Sequence, residues 1–427
     1  MIRAARGLVR RGRSLLHKLG PGLITGAADD DPSGIATYSQ GGAQFGYATL
    51  WTVFATTPLM IAIQLASARI GLVTGRGIGA NLRAHFPVSI TIALVGLLCF
   101  ANAINIAADL AAMGQSLQLL VGGPRHLYAL LFGALSATAQ VFMSFPRYVR
   151  TLKWLTLSLF AYVGIVFVVH IDWKVVAWNA VVPSLMMRRD YLTTVVAILG
   201  TTISPYLFFW QAAQEVEEQR GSPSRHSLAE NPGQARVQLR RVRIDTVIGM
   251  VFSNAIAFFI ILTAAVTLHA GGVTNIETSA QAAQALRPIA GNLAFTLFAL
   301  GIIGTGLLAV PVLAGSAAYA VAETFDWRTG LDQKLPGARE FYGIIVIAII
   351  GGAVLEFAPL DPVKMLYWSA VVNGVVAVPI MIAMLILAGR RSIMGDFVMG
   401  WRLRSVAWLA AAVMLATVAG MFLGPAG

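Results

Sequence analysis

Eleven long apolar runs, separated by short charged connectors, leave this chain few folds to choose from. A helix needs roughly 20 mostly apolar residues to cross the hydrocarbon of a bilayer. The runs fall at about 20–42, 47–70, 89–121, 127–145, 153–171, 191–214, 244–269, 291–321, 341–359, 363–388 and 403–423. They are too long and continuous for the alternating ten-residue strands of a membrane barrel. Only 12% of the 427 residues are charged and 57% are hydrophobic, too little polar surface to coat a soluble domain. The expected fold is therefore an all-α polytopic membrane protein, with a tail over 1–19 and a transmembrane domain over 20–423.

Charge tests that span list. With the amino terminus inside, 25 of the 31 Lys and Arg residues fall on the cytoplasmic side. The other 6 are Arg125, Lys174, Arg188, Arg189, Arg287 and Lys364. Such a bias is what orients helices in a membrane. It predicts a cytoplasmic amino terminus, an extracytoplasmic carboxyl terminus and a multi-pass protein, compatible with a bacterial inner membrane. It also accounts for the net charge of +12 without nucleic acid, which is not an expected partner. The longest polar connector, about 215–243, reads as a cytoplasmic loop, and its basic end (Arg236 to Arg243) as a positive-inside stop.

Two spans are chemically interrupted. The first carries "GPGLITGAADDDPSGIATYSQGGAQFGYATLW", with three aspartates, Pro32 and Gly34 inside a span. Carboxylates in hydrocarbon are expensive and face a cavity, a partner or an ion. Pro32 lacks an amide proton, and the Pro32-Ser33-Gly34 step lets the helix unwind. The sixth span carries "LGTTISPYLFFWQ", where Pro205 frees a carbonyl near Thr201 and Ser204 adds a hydroxyl. Two interrupted helices five spans apart are the pattern of inverted repeats, here about 20–171 and 191–388, with an ion site where they meet. An ordinary proline kink is the competing reading of Pro205.

The candidate ligands are Asp31, Thr201 through its carbonyl, and Ser204. They form an all-oxygen set suited to a hard cation, above all Mg²⁺, which keeps several waters. Gly34 leaves room for a partly hydrated ion. Asp30 and Asp29 are adjacent to Asp31, but successive helical side chains diverge, so all three are not expected on one ion. Asp109 lines a vestibule or proton route, or bonds to a neighbouring helix; Asn102 and Asn105 are read with it as one polar stripe. Asn373 faces the pathway or makes one helix–helix bond. Asp245 and Glu323 are expected at solvated span ends, and Tyr206, Phe208, Phe209 and Trp210 form a packing or gating face; Asp30 and Tyr206 are also read as residues beside the ion pathway. The six histidines and the single Cys99 form no metal-ligand spacing and no disulfide.

These segments resemble the NRAMP divalent-metal transporters, within the group that shares the LeuT-type architecture. The resemblance rests on the Asp-Pro turn followed by "QGGAQFGYATLW", on "ARIGLVTGRG" ending span 2, on "AADLA" in span 3 and on the break in span 6. It implies a LeuT-type fold of two five-span repeats plus an eleventh helix. The family's first break reads Asp-Pro-Gly-Asn, with Asp and Asn on the metal; here it is Asp31, Pro32, Ser33 and Gly34. Its sixth helix reads Met-Pro-His; here the matching positions are Ser204, Pro205 and Tyr206, and the ligating carbonyl matches Thr201. The acid one turn after Asp109 is replaced by Ala112.

The missing sulfur, imidazole and acid resemble the divergent NRAMP-related magnesium transporters. The implied function is alternating-access transport of a divalent cation, most of all Mg²⁺ and also Mn²⁺, with weak or no proton coupling. The rival readings are a proton-coupled Mn²⁺/Fe²⁺ carrier and a relative that senses an ion without moving it. No catalytic constellation marks an enzyme. No cofactor and no obligate protein partner is expected; the cation is substrate and the bilayer is the surrounding medium.

Overall fold

The computed structural model describes residues 25–26, 28–143, 156–221 and 227–424. The tail over 1–19, the start of the first span, and Arg147, Arg150, Lys153 and Arg225 lie outside the described residues. Among the described residues every regular element is helical, and none is a strand.

After a helical stub at Ala28 and Asp29 the chain breaks at Asp30 and Asp31. Helix α1 (Pro32–Phe45) then passes through a 3-10 turn, Gly46–Thr49, into α2 (Leu50–Thr74). A short bridge, α3 (Ile78–His85), leads to α4 (Val88–Val121) and α5 (Arg125–Phe142). Short helical turns from Thr156 to Phe167 and helix α6 (Trp173–Val181) precede the pair α7 (Arg189–Thr202) and α8 (Pro205–Arg220). The chain closes with α9 (Ala235–Ala264), α10 (Ala294–Thr324), α11 (Arg339–Leu355), α12 (Pro362–Gly389) and α13 (Trp401–Leu423). Among the described residues seven stretches are long and apolar enough to cross a membrane, and one of them, Pro32–Thr74, contains both α1 and α2. The crossings expected at α5, α11 and the turns over 156–167 are shorter.

The caps follow from local chemistry. Asp31 is the N-cap of α1, its Oδ1 accepting from Gly34 N at 2.7 Å, with Pro32 at the first helical position where no amide is needed. Asp361 and Pro362 start α12 in the same way. Gly75, in the left-handed region at φ 64°, ends α2.

Every residue of α1 from Pro32 to Ala43 is buried, and α7 and α8 are buried along most of their length. Around them, α4 packs on α10, α12 and α5, while α9 packs on α1 and α2. The outer faces carry exposed apolar side chains such as Phe100, Leu131 and Phe142, a surface suited to lipid. Close helix approach depends on missing side chains. A Cβ on Gly200 would lie 2.1 Å from the Ala370 carbonyl oxygen and 2.4 Å from Gly374 N, so α7 meets α12 almost backbone to backbone.

Two expectations are corrected. The connector expected over 215–243 is narrower, because α8 continues to Arg220 and α9 begins at Ala235. The polar residues there remain helical by pairing across the two helices. Arg241 bonds Glu215 Oε2 at 2.6 Å and also reaches Glu218, while Gln219 donates to the Leu72 carbonyl. Asp245 is not a solvated span end either, while Glu323 is part-buried at the edge of a cavity. Asp245 is buried, and Glu323 accepts from Gly79 N at 3.0 Å at the start of α3.

The α7–α12 contact makes a direct test. Replacing Gly200 with Ala forces backbone apart and is expected to cost about 1–3 kcal/mol, as overpacking does. Thermal unfolding of the detergent-purified protein, followed by size-exclusion chromatography, measures it; an unchanged midpoint would contradict the close approach.

Candidate metal centre

A proline inside a helix leaves the carbonyl four residues earlier without its amide donor, and in a buried segment that oxygen must be satisfied otherwise. At the two breaks, where Pro32 and Pro205 each open the following helix, the orphaned carbonyls are handled by neighbouring residues of one short segment, whereas Pro58, Pro311 and Pro379 sit inside continuous helices. Pro32 frees the carbonyl of Ala28, and the Tyr206 hydroxyl donates to that oxygen at 3.1 Å. Pro205 frees the carbonyl of Thr201, and the Ser204 hydroxyl lies 2.8 Å from it and 2.9 Å from the Gly200 carbonyl. Ile203 and Ser204 leave the helical region, so the break expected at Pro205 is a true interruption.

Asp31 stands between the breaks and is only 1% exposed. Its Oδ1 accepts from Ser33 Oγ at 2.6 Å and from Gly34 N at 2.7 Å. Its Oδ2 has longer contacts, both 3.4 Å, from Asn105 Nδ2 and the Tyr206 hydroxyl. The missing side chain at Gly34 brings α7 close. A Cβ there would lie 3.1 Å from Thr201 Oγ1 and 3.5 Å from Asp31 Oδ1. Thr201 Oγ1 is buried and has no hydrogen-bond partner.

Asp31, Ser33, Gly34, Thr201 and Tyr206 therefore meet, with Ser204 bonded to the Thr201 backbone. Thr201 offers its hydroxyl toward Gly34, whereas the carbonyl expected as its ligand atom is bonded by Ser204. The donors are one carboxylate, hydroxyls and carbonyls. No thioether or imidazole is among them, which is the chemistry of a hard-cation site.

The other aspartates divide. Asp29 and Asp30 converge on α9 instead, where Ser253 Oγ lies 2.6 Å from Asp29 Oδ2 and 3.0 Å from Asp30 Oδ1. Ser253 escapes sequence reading because a single serine in an apolar span usually bonds back to its own helix. Asp109 is fully buried and neither carboxylate oxygen has a hydrogen-bond partner. It lies one turn beyond Asn105, the residue that reaches Asp31.

The polar stripe read on α4 splits here. Asn102 donates instead to the Leu313 carbonyl at 2.9 Å and to Ser316 Oγ at 2.8 Å on α10. Asn105 thus belongs with Asp31, a role its spacing alone did not distinguish from that of Asn102. Asn373 is buried beside Gly374 at the α7–α12 contact, and neither its amide nitrogen nor its oxygen has a partner. Phe208, Phe209 and Trp210 are packing residues, Trp210 lying edge-on to Tyr319.

The electrostatic balance stands out. Among the described residues, no Lys, Arg or His lies within ion-pair distance of Asp29, Asp30, Asp31 or Asp109. A buried carboxylate without a partner is compensated by a cation or a proton. No three His, Cys, Asp or Glu side chains among the described residues form a metal-holding group. The centre therefore rests on one carboxylate and neutral oxygens. All its members are buried.

Removing the Tyr206 hydroxyl tests the capping scheme. Tyr206→Phe leaves the Ala28 carbonyl buried and unsatisfied, an expected loss of about 1–3 kcal/mol. Ser204→Ala removes the donor near Thr201 and is expected to act in the same direction. Thermal unfolding in detergent reads both; a Tyr206→Phe protein as stable as the parent would contradict the cap.

The whole chain can be placed among known proteins. The family model described as "Natural resistance-associated macrophage protein-like" (Nramp) matches residues 22–424. The chain is 27% identical over 417 residues to the divalent metal cation transporter MntH of Burkholderia ambifaria, covering 94% of this chain and 87% of the relative. It is 28% identical over 410 residues to the MntH of Xanthomonas campestris pv. campestris, covering 94% and 89%.

In fold it resembles the Eremococcus coleocola manganese transporter in complex with an aromatic bis-isothiourea compound. The TM-score is 0.73 at 18% identity, over 96% of this chain and 87% of that one. A more distant likeness, TM-score 0.57 at 14% identity, is to Mhp1, a nucleobase-cation-symport-1 family transporter in a closed conformation, over 95% and 90%. The architecture is thus of the LeuT type, and the chain belongs to the Nramp family.

Proposed function

We propose that this protein carries divalent metal cations across the membrane by alternating access, with Mg²⁺ as its main substrate and Mn²⁺ as a second. The observation that carries this reading is the buried Asp31 carboxylate. It stands at the junction of two broken helices, surrounded by neutral oxygens and without a protein cation in ion-pair contact. An ion there draws on Asp31, the Thr201 hydroxyl and the Ser204 oxygen. The Gly34 side is tightly packed here, a Cβ there lying 3.1 Å from Thr201 Oγ1, so an ion that keeps part of its water, as Mg²⁺ does, enters only when α1 and α7 move apart. Tyr206 and Ser204 hold the broken backbone while the ion is absent or moving. Asp30, with Asp29 on Ser253, stands beside the pathway, and Asn373 next to the α7–α12 contact is a further neutral donor.

Drive need not come from protons. A membrane potential of 100 mV contributes roughly 4.6 kcal/mol to the entry of a dication. The arginine-rich end of the bundle is then the cytoplasmic one. That reading leaves the amino terminus cytoplasmic and the carboxyl terminus extracytoplasmic, in a bacterial inner membrane.

A second reading has its own support. The relatives named above are MntH proteins, the structural neighbour is a manganese transporter, and Asp109 holds two unpartnered oxygens one turn from Asn105. These favour a proton-coupled Mn²⁺ carrier.

Flux into proteoliposomes separates the two. Mg²⁺ entry indifferent to a pH gradient is expected. Asp31→Ala should reduce it by about thirtyfold or more, since losing one side of a buried charge interaction costs about 2–5 kcal/mol. Entry of Mn²⁺ alone, accompanied by acidification and lost in Asp109→Asn, would establish the second reading. A folded protein that moves neither ion would sink both.

A further inference from the structure

A second, differently charged site lies far along the chain from Asp31, at the end of the bundle where α2, α8 and α10 finish. A cavity of about 590 Å³ opens there, lined by Arg76, Arg83 and Arg220. Among the described residues none of these guanidinium groups has a carboxylate within ion-pair distance. Arg220 makes long contacts, 3.4 Å to the Thr329 carbonyl and 3.5 Å to its hydroxyl, and its charge is partly balanced by Glu217 and Glu323 nearby.

Two acids also line the cavity. The Glu323 carboxylate is engaged with Gly79 N at the start of α3, and its charge also acts on Arg220, which leaves Arg76 and Arg83 the freer pair. Asp326, the other, sits on a backbone turn at φ 59°. The site is a pocket with three arginines to two acids, one of them already engaged.

Its other walls are apolar and face outward. Val88 and Ile92, on the first turns of α4, are 46% and 50% exposed, and the same outer face continues to Phe100. Trp327 closes another side, stacked on Phe325 with ring centroids 5.3 Å apart. Arginines beside an outward apolar helix face and a tryptophan form the combination found where a helix bundle meets lipid headgroups. A soluble anion needs the guanidinium groups but has no use for the apolar strip.

We propose that this cavity binds the phosphate headgroup of an anionic phospholipid, with its acyl chains lying along the outer face of α4. Guanidinium groups suit phosphate because their planar donors bond its oxygens in pairs. Arg220 ends α8, the helix that begins at the Pro205 break, whereas Arg76 and Arg83 flank and terminate α3. A headgroup held by all three ties the end of α8 to α3, so membrane composition acts on the helix that carries half of the Asp31 site.

Native mass spectrometry of the purified full chain tests this, with phosphatidylglycerol as probe and phosphatidylcholine as its neutral counterpart. Phosphatidylglycerol is expected to bind in preference. The double variant R76Q/R83Q is expected to weaken it by about thirtyfold, with phosphatidylcholine unchanged. Arg83→Lys should keep much of the binding, and Lys364→Gln, at the opposite end, should keep all of it. Where the double variant is not monodisperse, the single variants R76Q and R83Q serve, each expected to lose about fivefold. Phosphatidylglycerol binding that is unchanged in these variants overturns the proposal. So does inorganic phosphate that displaces the lipid at comparable concentration, which would make the cavity a site for soluble phosphoanions.

Discussion

A backbone carbonyl robbed of its donor inside a membrane protein has no water to turn to, and this chain meets that problem at two helix breaks that come together around one site. Pro32 strips Ala28 and Pro205 strips Thr201 of their intrahelical partners. The answers come from Tyr206 and Ser204, which flank Pro205 itself. One short segment, Ser204-Pro205-Tyr206, therefore breaks its own helix, bonds the exposed end of that break, and reaches across to satisfy the other. The rest of the centre depends on this arrangement. It holds the start of α1 open so that Asp31 can cap it, and it places the bare Gly34 against Thr201.

Capping also governs the charge. Asp31 Oδ1 is fully engaged by Ser33 and Gly34, while its Oδ2 has only two contacts of 3.4 Å. One oxygen fixes the carboxylate and the other is loosely held, which leaves it open to a cation. Asp29 and Asp30 draw on a different helix through Ser253, so the triple aspartate forms two separate polar centres. A carrier needs to release its ion. One carboxylate among neutral oxygens binds more weakly than a carboxylate cage, in keeping with transport as opposed to permanent retention.

Much of this was legible in the sequence. The apolar runs specified a helical membrane bundle, and the Asp31-Pro32 and Ser204-Pro205 steps marked both breaks. The family resemblance, carried by the same steps, agrees with the match over residues 22–424. What stayed hidden depended on rotation about a helix axis. Asn102 and Asn105 sit three residues apart on α4, yet one bonds α10 and the other reaches Asp31. Tyr206 read as a packing, gating or pathway residue, and nothing in the sequence tied its hydroxyl to a particular partner; that role comes through the Ala28 carbonyl on a distant segment. Polar composition around 215–243 also concealed helix, since Arg241 pairs with acids on α8 that are 26 and 23 residues earlier in the chain.

Anomalous diffraction from crystals of the protein grown with Mn²⁺ measures where a divalent ion sits, independently of whether it is transported. One peak within about 2.0–2.6 Å of an Asp31 carboxylate oxygen, on the Thr201 side and absent from Asp31→Asn crystals, is the predicted result. A peak held by Asp29, Asp30 and Ser253 instead, with Asp31 still bonded only to Ser33 and Gly34, would contradict the account.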